Sequence, residues 1–230
     1  MVKIAGVGSS SIDYPNGFCG MIFTKDCNLR CPYCHNWSLF KENKPATENL
    51  DYVLTKFYNN KRLISNITIS GGEPTLYDDL PELIGTLRKN GYHIKLDTNG
   101  TNPKMLEEII YDIDYVALDI KTSLDRYNIL GAKEDYSNRI LESINLLKIY
   151  KPYTHCFRTT VVPIIVTERD IINIGKMLNC NSKFVLQQFK PFNAYNPSYR
   201  KITPYPTEKL SEFRDILLKF NFKSVDIVNI

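Results

Sequence analysis

Residues 67–98 read ITISGGEPTLYDDLPELIGTLRKNGYHIKLDT, and that stretch decides the class of fold. Ile67–Ser70 is a short β-rich run. Leu80, Leu83, Ile84 and Leu87 then fall at i, i+3, i+4 and i+7, one apolar stripe along a helix. Asp78 or Asp79 can cap that helix, Pro81 suits its first turn, and Gly91 can end it in the left-handed conformation. His93–Thr98 is a second β-rich run. Strand, helix and strand follow one another within one short stretch.

The pattern repeats outward. Further β-runs lie at Phe18–Thr24, Tyr115–Ile120, Cys156–Val162 and Phe184–Phe189. Helical stripes occupy the gaps: Leu50, Val53, Leu54 and Phe57 after Thr47, then Met105, Leu106, Ile109 and Ile110 after Asn102-Pro103. Ser137 precedes Ile140, Leu141, Ile144 and Leu147, and Thr167 with Asp170 spells a capping box ahead of Ile171, Ile174 and Leu178. A last helix is expected from Thr207 to Phe220. Six strands, each followed by a helix, make a parallel α/β sheet the economical solution. Six units are too few to close an eight-stranded barrel, which leaves an open barrel or a doubly wound sheet. Either places functional groups beyond the carboxyl ends of the strands. One domain is expected over 1–230, with a core at about 16–190 and a C-terminal flap and helix over 190–230.

Composition sets limits on function. With 43% hydrophobic and 23% charged residues, the 230-residue chain has the makings of a packed globule. Mean hydropathy is −0.26. The densest apolar stretch, Val161–Val166, contains a proline and is far shorter than the roughly 20 residues of a membrane span. Met1-Val2-Lys3-Ile4 lacks the apolar core of a secretory signal, so a cytoplasmic location is expected, and with it six cysteines that are not a disulfide framework. A net charge of +4, from 29 bases against 25 acids, is too even to argue for nucleic acid.

Directly after the first β-run comes Cys27-Asn28-Leu29-Arg30-Cys31-Pro32-Tyr33-Cys34-His35-Asn36. Three thiolates this close can wrap one soft metal centre. They suit a [4Fe–4S] cluster with one iron left open, whereas a ferredoxin run carries a fourth cysteine. A Cys3His zinc site using His35 and a set of buried thiols are the other readings; His35, adjacent to Cys34, is poorly placed to close a tetrahedron.

The spacing C-x3-C-x2-C of Cys27, Cys31 and Cys34 resembles the signature of the radical S-adenosylmethionine (SAM) enzymes. The resemblance runs from about Asp13 to Gln188 and implies a partial (βα)6 TIM-like open barrel. It implies as cofactors a [4Fe–4S] cluster on the three cysteines and SAM, whose amino and carboxylate groups chelate the open iron. Reductive cleavage of SAM then yields methionine and a hydrogen-abstracting 5′-deoxyadenosyl radical. Gly71-Gly72-Glu73-Pro74 looks like the family's GGE element, in which glycines let backbone carbonyls approach the SAM ammonium. Tyr33 is similar to an aromatic that lies near adenine. Asp97-Thr98 and Asp119-Ile120-Lys121 resemble the subgroup that activates glycyl-radical enzymes, where two aspartates help hold a monovalent cation. Two such acids repel unless a cation or base lies between them. Lys121 and Arg158 would face the SAM carboxylate. Gln187 stands where some activating enzymes place a ribose-facing histidine. That difference, with FRTTVV (157–162) and LQQF (186–189), moves the resemblance toward the anaerobic ribonucleoside-triphosphate reductase activating proteins.

The implied partners are a glycyl-radical protein substrate and a low-potential flavodoxin- or ferredoxin-like electron donor. From Ile171 to Thr207 there is no acid, against Lys176, Lys183, Lys190, Arg200 and Lys201. Phe192, Tyr195, Tyr199 and Tyr205 lie among the prolines of Pro191–Pro206. This segment either grips a large partner or is a solvated connector with its aromatics folded onto helices; its basic–aromatic mix also admits RNA. Rival functions are a radical SAM modifier or synthase acting on a small molecule or RNA, and a non-enzymatic iron–sulfur or zinc relay.

Overall fold

The computed structural model describes residues 2–15, 17–40, 49–60, 62–152 and 154–229. The strands are ordered in chain sequence, β1 to β8. Two compact units form: Met1–Asn28, Asn36–Thr98 and Asn102–Val116 in the first, Leu29–His35, Asn99–Thr101 and Ala117–Ile230 in the second.

The first unit holds β1 (Ile4–Tyr14), β2 (Gly17–Thr24), β3 (Asn66–Gly71) and β4 (His93–Thr98), with helices α1 (Leu50–Tyr58), α2 (Leu80–Lys89) and α3 (Pro103–Ile109). β2, β3 and β4 pair in parallel, with Ile22 opposite Ile69 and Ile67 opposite Ile94. Ile67, Thr68 and Ile69 are all buried, as is every residue from Ile94 to Thr98. Burial on both faces is what a parallel strand under helices requires, and it holds here although Ile67, Ile69, Ile94 and Leu96 alternate with polar Thr68, Lys95 and Asp97. The helix expected after β3 forms, and its stripe of Leu80, Leu83, Ile84 and Leu87 is buried. Each such side chain removed from water contributes roughly 1.5–3 kcal/mol. Gly91 takes φ +74°, as expected. Asp79 does not cap with its side chain; its carboxylate accepts the Val2 N–H at 2.6 Å instead. Thr47 lies outside the described residues, and Asn49 caps α1 by accepting the Asp51 N–H.

β1 was not expected. Gly6, Gly8 and Ser9–Ser11 have little strand propensity, yet β1 pairs antiparallel with β2, Gly8 opposite Met21 and Ser9 opposite Gly20. The sheet is therefore mixed, and it holds eight strands where six were read.

The second unit completes β5 (Tyr115–Asp119) and holds β6 (His155–Val161), β7 (Lys183–Gln188) and β8 (Ser224–Val228), with α4 (Ser137–Tyr150), α5 (Glu168–Leu178) and α6 (Thr207–Leu217). β6–β7 and β7–β8 are parallel. The Thr167–Asp170 capping box forms, with Asp170 accepting the Thr167 N–H at 2.8 Å. α6 stops at Leu217, short of Phe220, whose ring packs against Gly175 of α5; a Cβ there would come within 2.3 Å of it. That contact explains a glycine inside a helix, a placement that costs about 1 kcal/mol against alanine. No described helix is long and apolar enough to cross a membrane.

Candidate active site

In the first unit the chain leaves β2 at Thr24 and runs toward Cys27. Gly71-Gly72-Glu73 is laid against this exit: the Gly72 N–H donates to Thr24 O at 2.9 Å and the Glu73 N–H to Asp26 O at 2.8 Å. Gly71 holds φ +111°, and a Cβ on Gly72 would lie 1.8 Å from the Asp26 carbonyl oxygen. The glycines thus admit the chain's own backbone, the segment that delivers Cys27. The amide of Asn36 donates to Gly71 O at 3.2 Å. Glu73 is buried, and its Oε1 accepts from the Thr75 N–H, the Thr75 hydroxyl and the Thr98 hydroxyl at 3.1, 2.5 and 2.8 Å. That oxygen holds the turn in shape. Asp97 is buried too, paired with the Lys95 ammonium and accepting from the Ser70 hydroxyl.

The second unit contains Cys31, Tyr33 and Cys34. The Cys34 N–H donates to Cys31 O at 3.0 Å, and the Arg30 N–H to Leu130 O at 2.8 Å, beside Gly131 at φ +69°. Asp119, at the end of β5, accepts from Arg158 Nε at 2.6 Å and from Lys121 Nζ at 3.1 Å. Burial alone would raise the Asp119 pKa, but the two cations hold its carboxyl well below the usual carboxylate range. Burial works against the Lys121 charge, and Asp119 more than offsets it, keeping the ammonium protonated. The Lys121 N–H donates to the Tyr127 hydroxyl at 3.0 Å. The next two residues, Thr122 and Ser123, donate to the fully buried Asp170 at 3.3 and 2.6 Å, which fastens this loop to the start of α5. Burial pushes the Cys31 thiol up to about 11, with Lys121 drawing it back down. The Tyr33 hydroxyl is buried with no hydrogen-bond partner among the described residues. Gln187 accepts from the Thr160 hydroxyl of the adjacent strand at 3.3 Å.

The expected residues thus gather in two sets. Cys27, Gly71, Gly72, Glu73, Asp97 and Thr98 belong to the first unit; Cys31, Tyr33, Cys34, Asp119, Lys121, Arg158 and Gln187 belong to the second. Sequence reasoning missed Lys95 and Tyr127. Lys95 was findable, because it lies two residues before Asp97 on one strand and so shares its face. Tyr127 carried no signal.

The chain matches the Radical SAM superfamily model over residues 21–178. It belongs to the radical SAM superfamily. As a radical SAM enzyme it uses a [4Fe–4S] cluster and SAM. It is 36% identical over 219 residues to a Methanocaldococcus jannaschii protein whose name is that of a glycyl-radical enzyme activating enzyme, covering 91% of this chain and 88% of the relative. The pyruvate formate-lyase-activating enzyme of Clostridium pasteurianum is 25% identical, with 100% and 92% covered. Among solved structures, QueE from Escherichia coli superposes with a TM-score of 0.60 at 15% identity, covering 100% of this chain and 94% of that one. Streptococcus suis SuiB bound to S-adenosylmethionine reaches 0.66 at 16% identity, with 89% and 48% covered. At these identities the likeness is one of fold, and it bears out the radical SAM type of α/β architecture.

The residues present fit the cofactors. Three thiols are a soft donor set suited to iron–sulfur ligation. The buried, unpartnered Tyr33 hydroxyl and the charged Asp119 group beside Cys31 are the polar surroundings a buried zwitterionic ligand requires.

Proposed function

We propose that this radical SAM enzyme generates a glycyl radical on a partner protein in the cytoplasm, with Cys27, Cys31 and Cys34 holding the cluster. The observation that carries the ligand side is the charge at Asp119. Among the described residues one acid, Asp119, faces two bases, Lys121 and Arg158, in a group whose side chains are all less than a quarter exposed. Two cations held this way suit a further carboxylate, such as that of SAM. Held by the three cysteines and reduced by a low-potential donor, the cluster would supply one electron to the sulfonium of a bound SAM.

The chain's own residues orient and shield. Arg158 and Lys121, set by Asp119, present fixed cations, and Tyr127 anchors the Lys121 backbone. Tyr33 places its buried hydroxyl beside the Cys31 thiol. Glu73 and Thr98 keep the Gly71-Gly72 turn seated against the approach to Cys27. The repulsion between the two acids is relieved by bases, Lys95 at Asp97 and both Lys121 and Arg158 at Asp119. For protein partners, exposed Phe192 and Tyr195 lie near exposed Lys190, Arg200 and Lys201 in the chain, a basic and aromatic surface for an acidic protein such as a low-potential electron donor.

The activase reading rests on the named relatives, and its test is direct. The anaerobically reconstituted enzyme, given reductant, SAM and a candidate glycyl-radical protein, is expected to release 5′-deoxyadenosine and leave a glycine-centred doublet in the partner's electron paramagnetic resonance spectrum. Release of 5′-deoxyadenosine with every such candidate silent would move the assignment to a small-molecule or RNA modifier.

A further inference from the structure

The segment between β7 and α6 does not hang as a connector. Its base is closed by Gln188 Nε2, which donates to Tyr205 O at 2.7 Å, while the Tyr205 hydroxyl donates to Val166 O at 3.3 Å. Inside it, two short helical turns, Pro191–Asn193 and Pro197–Lys201, flank the buried Ala194. Arg200 Nε donates to Ala194 O at 2.8 Å, and Asn196 Oδ1 accepts from both the N–H and the hydroxyl of Ser198. This is a loop stiffened by its own side chains, with its ends drawn together.

What it touches is the cysteine segment of the same unit. The Asn196 N–H donates to Pro32 O at 2.8 Å, and Asn193 Nδ2 donates to His35 O at 3.1 Å. The Phe192 ring meets the His35 ring edge-on at 5.5 Å. Pro32 and His35 stand on either side of Cys34. The two carbonyls that bracket this cysteine are therefore held from one element, and the Cys34 N–H bond to Cys31 O carries the restraint back to the second cysteine.

We infer that residues 190–201 form a clasp that positions Cys34, and through it Cys31, for the cluster, with Asn193 and Phe192 as positioning residues. The inference rests on the ligand reading given above. A loop-borne thiol that wanders loses the pre-set geometry that multi-thiolate ligation needs, and outer contacts of this kind govern retention as well as placement. Each contact is worth a modest amount: a single net hydrogen bond corresponds to about fivefold in a local opening equilibrium.

The experiment uses the full chain, first without metal. Cysteine alkylation mapped by mass spectrometry is expected to run about fivefold faster at Cys34 in Asn193→Ala, and faster still when Phe192→Ala is added, while Cys27 in the other unit keeps its rate. Asn193→Asp, the same shape without the N–H donor, should behave like Asn193→Ala. After anaerobic reconstitution, a chelator should strip iron from these variants faster by a similar factor, with thermal melting unchanged. In the wild type, the Asn196 amide should be protected from hydrogen exchange. Unaltered Cys34 alkylation in all three variants, or an unprotected Asn196 amide, would overturn the clasp. A wild-type chain that takes up no four-iron cluster, although Cys34 responds to Asn193→Ala, would overturn the ligand reading instead.

Discussion

Two aspartates at strand ends, spelled almost as mirror images, do different work. Lys95-Leu96-Asp97 lies near the end of β4, where the two charges share a strand face, and Asp119-Ile120-Lys121 runs off the end of β5, each acid two residues from a lysine. Asp97 and Lys95 neutralise one another in a site where both side chains are under a tenth exposed, with Ser70 as a further donor. Asp119 receives a second base, Arg158 from β6, so two cations face one acid there among the described residues. We propose the first as an internal strut and the second as the receptor for the SAM carboxylate. On that reading, what makes a charge motif a binding site is what distant neighbours add to it.

That contrast can be broken from either side. The largest effect belongs to the strut. Lys95→Met removes the base paired with the buried Asp97 carboxylate and should cost about 3–5 kcal/mol of stability, read as a fall in melting temperature, with SAM affinity of the folded fraction unchanged within about twofold. Next comes the receptor. Arg158→Met removes one of the two cations at Asp119, and its SAM dissociation constant, measured anaerobically, should rise about thirtyfold, roughly 2 kcal/mol. A similar loss of SAM binding in Lys95→Met would erase the distinction between the two sites.

Acid titration offers a smaller, sharper test. The Asp119 carboxyl is held below its unfolded value, so the stability it contributes is full at neutral pH. That stability is lost as pH falls below about 4 toward the depressed folded value. Wild type should therefore lose more stability across that acid window than Asp119→Asn, and equal slopes would mean that the cations do not hold the carboxylate. The smallest effect is that of Tyr127→Phe, which removes the acceptor of the Lys121 N–H and should cost about 1 kcal/mol, with a SAM dissociation constant up by a few-fold.

Much of this molecule was legible in its residues. The runs at 18–24, 67–70, 93–98, 115–120, 156–162 and 184–189 are strands to within a residue or two, because β-branched and aromatic residues bounded by turn signals mark them locally. β1 left none: glycines and serines form a strand there because β2 offers an antiparallel edge. The Thr167–Asp170 box was readable as a helix start, but its second task, receiving Thr122 and Ser123 from the loop after β5, was not. The glycines of Gly71-Gly72 read as room for a ligand, whereas the atoms that fill their missing side-chain positions are the backbone of residues 23–26.

By itself the order of residues determined the thiol spacing, the alternation of strand and helix, and the acids and bases near strand ends, since each is a property of neighbours along the chain. Folding decided the rest. Asp119 meets Arg158 across 39 positions and Asn193 meets His35 across 158, so which bases face an acid and which loop grips Cys34 depend on packing between distant segments. No local periodicity encodes such encounters.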